Sequence, residues 1–353
     1  MGGRRLAARP LVGVIAAAAL AALAFAAAAQ PAGREPSALR GVLLAGDTRL
    51  RLLVADSPPF VLDVDSGRVT RLRGVPRSRR GVLSIAAAGG RGAVVHDERG
   101  PGCGWPRGCF YGVVAGGARA IDLGRARYAS PGADGRSAWL VDSARGAGCS
   151  VRRVGLDGRT IVASRRFPCG TRLDPPGGGL GLVVRRTTIV DPRSGRTVLR
   201  VPWSIVAVAG ERLLLYGPGH QFTLLGARDG KERRLAWPSI LDFGGAGLTA
   251  PRGRFVVLEF GDPAWRGSGA QALDLWVLDT RTGAMTEVPS MPAFVSLKRT
   301  SQAWTRDGRL VVLGEDDRGA FVAVWRPGER QLALKRVGLP ERTSGSDSFA
   351  VLG

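Results

Sequence analysis

Histidine is almost missing from this chain: His96 and His220 are the only two in 353 residues. That scarcity excludes a His-rich metal centre and leaves little material for a His-based triad. His96 follows Gly92-Ala93-Val94-Val95 and precedes Asp97-Glu98, a strand-end position with a structural role. His220 ends Gly217-Pro218-Gly219-His220, a loop in which its ring can meet a ligand. No Gly-x-Ser-x-Gly elbow occurs, and no α/β segment follows to house one, which speaks against a serine peptidase. No phosphate-cradling or dinucleotide glycine pattern stands at a strand-to-helix junction, because the glycines fall at hairpin turns. Lysine is scarce too, with only Lys231, Lys298 and Lys335, so the net charge of +22 is nearly all arginine. Those arginines are scattered over every hairpin without the blocks or stripes that track a phosphate backbone. Any polyanion binding is expected to be weak and unspecific, with no specific nucleic-acid partner.

Cysteine is limited to Cys103, Cys109, Cys149 and Cys169, and the closely spaced pairs of a zinc site are lacking. An even count fits two disulfides in an oxidising compartment. Cys103 is expected to pair with Cys109, closing a loop that presents Gly104-Trp105-Pro106-Arg107-Gly108, and Cys149 with Cys169. The start of the chain points the same way. Arg4, Arg5 and Arg9 precede an uncharged run from Leu11 to Ala29 that ends in Ala27-Ala28-Ala29 before Gln30. This is the pattern of a secretory signal peptide, and the run is also nearly long enough to serve as an uncleaved membrane anchor. Residues 1–29 are therefore read as signal or anchor, 30–37 as a linker, and 38–353 as one domain of an exported protein, secreted or held at the cell envelope.

What fills that domain is a repeat. Hydrophobic residues make up 44% and charged residues 23%, the balance of a packed globular chain. From residue 38 onward, short apolar runs alternate with Gly, Pro, Asp and Ser clusters, and no helical period persists. An apolar strand runs into an Asp or Ser, then a Gly, then a basic residue that opens the next strand. Clear copies are FVLDVDSGR ending at Arg68, TIVDPRSGR ending at Arg196 and LWVLDTRTG ending at Gly283, with weaker ones around Gly117, Gly158, Gly230 and Gly328. A Gly at the turn supplies positive φ, and the preceding Asp or Ser bonds the turn backbone. A second punctuation, Asp134-Gly135-Arg136, Arg252-Gly253-Arg254 and Asp307-Gly308-Arg309, lies upstream. Two hairpins per period make four strands, and the strands fall into seven sets, about residues 38–75, 81–124, 126–165, 166–201, 203–236, 239–289 and 293–339. Such periods are those of blades, so the fold class is all-β, a seven-bladed β-propeller of four-stranded antiparallel blades.

The segments SPGADGRSAWLV from Ser130, AWTRDGRLVVL from Ala303 and LWVLDTRTG from Leu275 resemble the TolB-like and related bacterial propeller repeats. The resemblance covers the chain beyond its first residues, more loosely in the second and fourth sets. It implies a circular scaffold for protein or ligand contacts, often in the cell envelope, and no single chemistry.

Two acidic groups fall short of a complete metal site. Asp63-Val64-Asp65-Ser66-Gly67 starts like a calcium loop but lacks the closing Glu, and Glu315-Asp316-Asp317 has Arg318 beside it. Neither a metal nor a cofactor is expected, and no catalytic residue is assigned. In a four-stranded blade, the loop between strands two and three emerges on the same face as the connection to the next blade. The unusual connections, Gly100 to Cys109, Ser143 to Cys149, Gly217 to His220, Gly261 to Gln271 and Glu315 to Gly319, all fall there. Both disulfides are expected to organise this face, and its contact residues to be Trp105, Arg107, His220, Trp265 and Arg266. The function expected is a monomeric binding or scaffold module that contacts a protein, an envelope polymer or a small ligand. The alternative is a propeller enzyme, a lyase or hydrolase, with its site on the same face.

Overall fold

The computed structural model describes residues 35–76, 83–98, 102–103, 107–144, 148–167, 179–239, 241–261, 270–296, 301–341 and 348–352. The segment expected to serve as signal or anchor lies outside them. Two short strands come first, β1 (Ser37–Ala38) and β2 (Val42–Leu43). Blade one holds β3 (Arg51–Val54), β4 (Phe60–Asp63) and β5 (Val69–Arg71). Blade two holds β6 (Leu83–Ala87), β7 (Gly92–Asp97), β8 (Gly108–Val114) and β9 (Ile121–Ala126). Blade three follows with β10 (Tyr128–Pro131), β11 (Ser137–Ala144), β12 (Gly148–Gly155) and β13 (Thr160–Phe167). Blade four shows β14 (Leu182–Val184), β15 (Thr188–Val190) and β16 (Thr197–Arg200) among the described residues. In blade five are β17 (Ser204–Ala209), β18 (Arg212–Gly217), β19 (Gln221–Gly226) and β20 (Glu232–Leu235). Blade six has β21 (Asp242–Thr249), β22 (Phe255–Gly261), β23 (Ala270–Asp279), β24 (Ala284–Glu287) and β25 (Ala293–Ser296). Blade seven has β26 (Ser301–Trp304), β27 (Leu310–Asp316), β28 (Gly319–Trp325) and β29 (Ala333–Arg336), before β30 (Phe349–Val351) closes the chain.

These strands form seven antiparallel sheets in a ring, the seven-bladed propeller the repeat implies. The middle strands read as unbroken apolar runs, such as Leu213–Leu215 and Leu310–Leu313, because both faces of each blade are covered. Buried side chains gather in seven clusters, one at each blade-to-blade contact. Val141 and Val151 meet Leu182 and Val190 between blades three and four, and Trp304 and Phe321 meet Val257 and Leu275 between seven and six.

The hairpin signature has the expected backbone. Gly67, Gly195 and Gly283 have φ of +69°, +73° and +72°. The Asp that opens each turn takes up its amides: Asp63 accepts from Ser66 N, Asp191 from Arg193 N and Asp279 from Arg281 N. In blade two the positive φ falls on Gly116, one residue before Gly117.

Blade boundaries differ from the seven sets at both ends. Ser37–Leu43 does not begin blade one. β1 pairs parallel with β25 on the outer edge of blade six, and β2 pairs parallel with β29 on that of blade seven. Between them Leu39 is buried in the core of those two blades. The innermost strand of blade one is instead β30, so that Leu52, Leu53 and Val54 face Val351, Ala350 and Phe349. Ala293–Ser296 does not open blade seven either, since β25 pairs with the first half of β23 while β24 pairs with the second half. The edge of blade six is thus completed by a strand beyond its last hairpin.

Closure by β30 has a measurable consequence. Phe349, Ala350 and Val351 are 3%, 0% and 0% exposed. Burying Phe349 alone stabilises by about 2–3 kcal/mol. Deleting residues 348–353 is expected to lower the melting temperature by about 10 °C or more, and an unchanged melting curve would show that the ring closes without this strand.

Candidate functional site

The loop-rich face is defined by topology: the β7–β8, β11–β12, β14–β15, β18–β19, β22–β23 and β27–β28 connections all emerge on it. In blade two, Cys103 and Cys109 form a disulfide with Cα atoms 5.3 Å apart. Cys109 is buried in the core between blades one and two, with Cys103 packed against it, so the loop is tied to the blade. Arg107 reaches from this loop to blade three, its Nε 2.7 Å from Asp142 Oδ1. Much of its charge is therefore already answered by a neighbour. Trp105, Trp265 and Arg266 lie outside the described residues, as does the Cys149–Cys169 pairing.

His220 is the expected contact residue that the structure sets among other functional-looking groups. The strands of blade five run on to Gly217 and resume at Gln221, so the connection is a tight three-residue turn rather than a long loop. His220 is exposed at its end with φ +58°. Its Nδ1 lies 3.3 Å from Tyr216 Oη, and its ring meets Trp237 edge-on at 5.0 Å. Trp237 stacks on buried Phe222 at 5.2 Å, and Tyr216 leans on Phe243 at 5.4 Å. On the other flank, Trp203 packs over Gly217, where a Cβ would come 2.6 Å from the indole. Trp237, Tyr216 and His220 thus share one partly exposed aromatic surface over blades five and six, and Trp203 stands on the blade-four side of the same edge.

Trp203, Tyr216, Trp237 and Phe243 are the residues that the sequence reading missed. One signal was available: Pro202-Trp203 and Trp237-Pro238 stand in the connections that enter and leave blade five. Beside Trp203, the β14–β15 turn carries Arg185 and Arg186 at φ +52° and +58°, and Arg186 O accepts from Ile205 N. Two successive non-glycine residues in that region store strain that the surrounding fold must hold.

Behind the aromatic surface lies Asp274, only 3% exposed. Burial raises its carboxyl above the usual range, and hydrogen bonds from Ser239 and Trp276 oppose that shift. The Trp276 Nε1 donor stands 2.7 Å from Oδ2. Glu259, one strand inward, is likewise raised by burial, with Gln302 Nε2 donating to Oε2 at 2.6 Å. The two acids do not converge. Asp274 pairs in register with Phe260, which packs toward blade five, whereas Glu259 pairs with Leu275, which packs toward blade seven.

The acidic groups weighed for calcium are engaged in structural bonds. Asp63 accepts from Ser66, and Asp65 accepts from Thr48 Oγ1 and Arg49 N. Asp316 is clamped by Arg336 through both oxygens. Among the described residues, no three His, Cys, Asp or Glu side chains gather as a metal set. Toward the axis the innermost strands of blades two and six expose the small residues Ala86, Gly244 and Ala246, and β21 opens on an exposed Asp242.

Fold and face together define a seven-bladed propeller with an aromatic patch on its loop-rich face. No family model matches the chain, and no curated protein matches it either. Among solved structures it is similar to TolB from Acinetobacter baumannii, 14% identical, covering 87% of this chain and 67% of that one with a TM-score of 0.49. It is also similar to a puromycin-hydrolyzing peptidase of Mycobacterium tuberculosis, 17% identical over 86% of this chain and 54% of that one, with a TM-score of 0.49. The acylaminoacyl peptidase of Pyrococcus horikoshii is 14% identical over 79% and 49%, with the same score of 0.49. The chain spans about half the length of these peptidases. At such identities the likeness is to the ring of blades and says nothing about chemistry.

Two outcomes follow from this geometry. His220→Gly should be more stable than His220→Ala by about 1 kcal/mol, because both lose the ring contacts while only Gly relaxes the left-handed backbone. Chemical denaturation of the two variants checks this, and equal stabilities would contradict it. The folded chain holds the Asp274 proton more tightly than the unfolded one, so this group costs stability as pH rises above about 4. Asp274→Asn should therefore gain on the parent at about pH 8 and converge with it at about pH 3, read from unfolding free energies across that range. A gap that widens toward acid would refute the assignment.

Proposed function

We propose that this chain is an exported, non-catalytic binding module that docks a protein or an envelope polymer on its loop-rich face, centred on blades four to six. The observation that carries this reading is the exposed His220, held at positive φ against Tyr216 and Trp237 and flanked by Trp203. Rigid aromatic surfaces lose little conformational entropy when a partner covers them, and they dominate binding energy where they become buried. The Cys103–Cys109 disulfide ties this face to blade two, and we extend the proposed contact surface to Trp105 and, on blade six, to Trp265 and Arg266. The secretory pattern before Gln30 and the disulfide support export, to the envelope or beyond.

The enzyme alternative would need acids working as a pair on this face. Glu259 and Asp274, the acids raised by burial among the described residues, lie on opposite sides of blade six, which favours binding over catalysis.

Retention of envelope proteins and solubilised polymers on the immobilised full chain tests the proposal. A species held saturably by the parent and by Arg193→Gln on the opposite face should be lost about tenfold or more with Trp203→Ala plus His220→Ala. Equal retention by all three chains would overturn the placement of the site.

A further inference from the structure

We propose that the opposite, hairpin face carries a separate pocket for a small anion with an apolar tail, between blades two and three. A cavity of about 770 Å³ opens there, within the size range of small-molecule sites. It is formed by the β6–β7 and β8–β9 turns of blade two and the β10–β11 and β12–β13 turns of blade three, and the β26–β27 turn of blade seven reaches in past blade one. That reach has a structural cause. Blade one has no turn between its first two strands, because β30 and β3 belong to opposite ends of the chain. The blade-seven turn therefore packs directly on that of blade two: a Cβ on Gly90 would lie 2.9 Å from Arg306 N.

The lining divides into two chemistries. Arg91, Arg136 and Arg306 converge from three different blades, and Arg159 stands on the outer rim. None of the first three has a carboxylate partner among the described residues. The acids nearby are occupied. Asp134 accepts from Arg153 Nη2 at 2.8 Å and from Ser137 Oγ at 2.8 Å, and Asp157 Oδ1 accepts from the Arg159 amide. Guanidinium groups suit carboxylate, phosphate and sulfonate oxygens, which accept their paired donors. The walls are apolar: buried Leu156 forms the floor, with Val114 and Ile161 at its sides, 45% and 50% exposed. Ile121, another of the few large apolar residues left exposed, stands next to the same turn at Gly158. Free guanidiniums beside uncovered aliphatic surface match a ligand with a charged head and a hydrocarbon body. A bare inorganic ion would leave the aliphatic walls unused.

Calorimetric titration of the full chain with dodecyl phosphate, kept below its micelle concentration, tests the assignment. Arg136→Gln plus Arg306→Gln should weaken binding about tenfold or more, the worth of a lost charge-assisted hydrogen bond. Arg193→Gln plus Arg196→Gln, on a distant hairpin, should leave it unchanged. Ile161→Ser should weaken dodecyl phosphate while leaving inorganic phosphate unaffected. These positions are exposed, and melting curves confirm that the variants fold, with Arg91→Gln alone as a second reading of the head-group site. Equal loss in the distant pair would show diffuse charge only and overturn the proposal. So would the absence of saturable binding, an Ile161→Ser variant that binds like the parent, or binding to phosphatidylglycerol vesicles without binding to the monomeric amphiphile.

Discussion

A sheet whose two faces are both apolar has nowhere to stand alone. Every blade of this chain is in that position, and each finds its cover in the blades on either side. The seven buried clusters are the seven seams of the ring, and an open row of the same blades would leave two such faces in water. Closure is therefore the interaction on which the rest depends. It is secured at both chain ends: β30 supplies the innermost strand of blade one, while β1 and β2 lie parallel along the edges of blades six and seven with Leu39 driven between them. The edge strands so covered no longer offer free backbone groups for pairing with other chains.

A closed ring also fixes what each face can be. Hairpins on one side need only turn residues, and glycine with Asp or Ser meets that need. The other side receives every connection between blades, which is where Trp203 and Trp237 enter. Of the five non-glycine residues at positive φ among the described residues, Arg185, Arg186 and His220 stand there. A turn of that conformation would be easier to build with glycine. That bulky charged and aromatic side chains stand there instead fits a surface shaped for contact at some cost in stability.

The parts of this fold that were legible from sequence are those with local causes. The Asp–Gly hairpins announce themselves because the turn chemistry acts within four residues: Asp63 bonds Ser66, and Gly67 supplies the positive φ. The parts that were not legible depend on distant partners. Nothing in Phe349-Ala350-Val351 says that it pairs with Leu52–Val54, and nothing in Ser37–Leu43 says that it belongs to the far blades. The site divides along the same line. His220 could be found from its own loop, but the patch around it is assembled from two inter-blade connections and three strands. The raised acids Asp274 and Glu259 were invisible for a related reason, since burial of a carboxyl is a property of the packed ring.

The hairpin chemistry also explains how so strongly positive a chain comes to display unpaired arginine. Its acids are outnumbered, 29 to 51, and many of those it has are committed to the turns. Asp63 and Asp191 are held below the usual carboxylate range by the hydroxyls of Ser66 and Ser194 and by turn amides. Such a carboxylate remains charged, but its lone pairs face its own backbone. Some of the arginines that follow a turn glycine bridge to an acid, as Arg254 does to Asp279 and Arg309 to Asp307, whereas Arg91 and Arg136 have no carboxylate partner among the described residues. Where the repeat brings several such turns together, as around Gly90, Gly135 and Gly158, the same rule that builds the blades leaves guanidinium groups side by side on one face. Anion affinity on that face is thus a consequence of how the hairpins are made, and the aliphatic side chains left bare beside them decide which anions bind best.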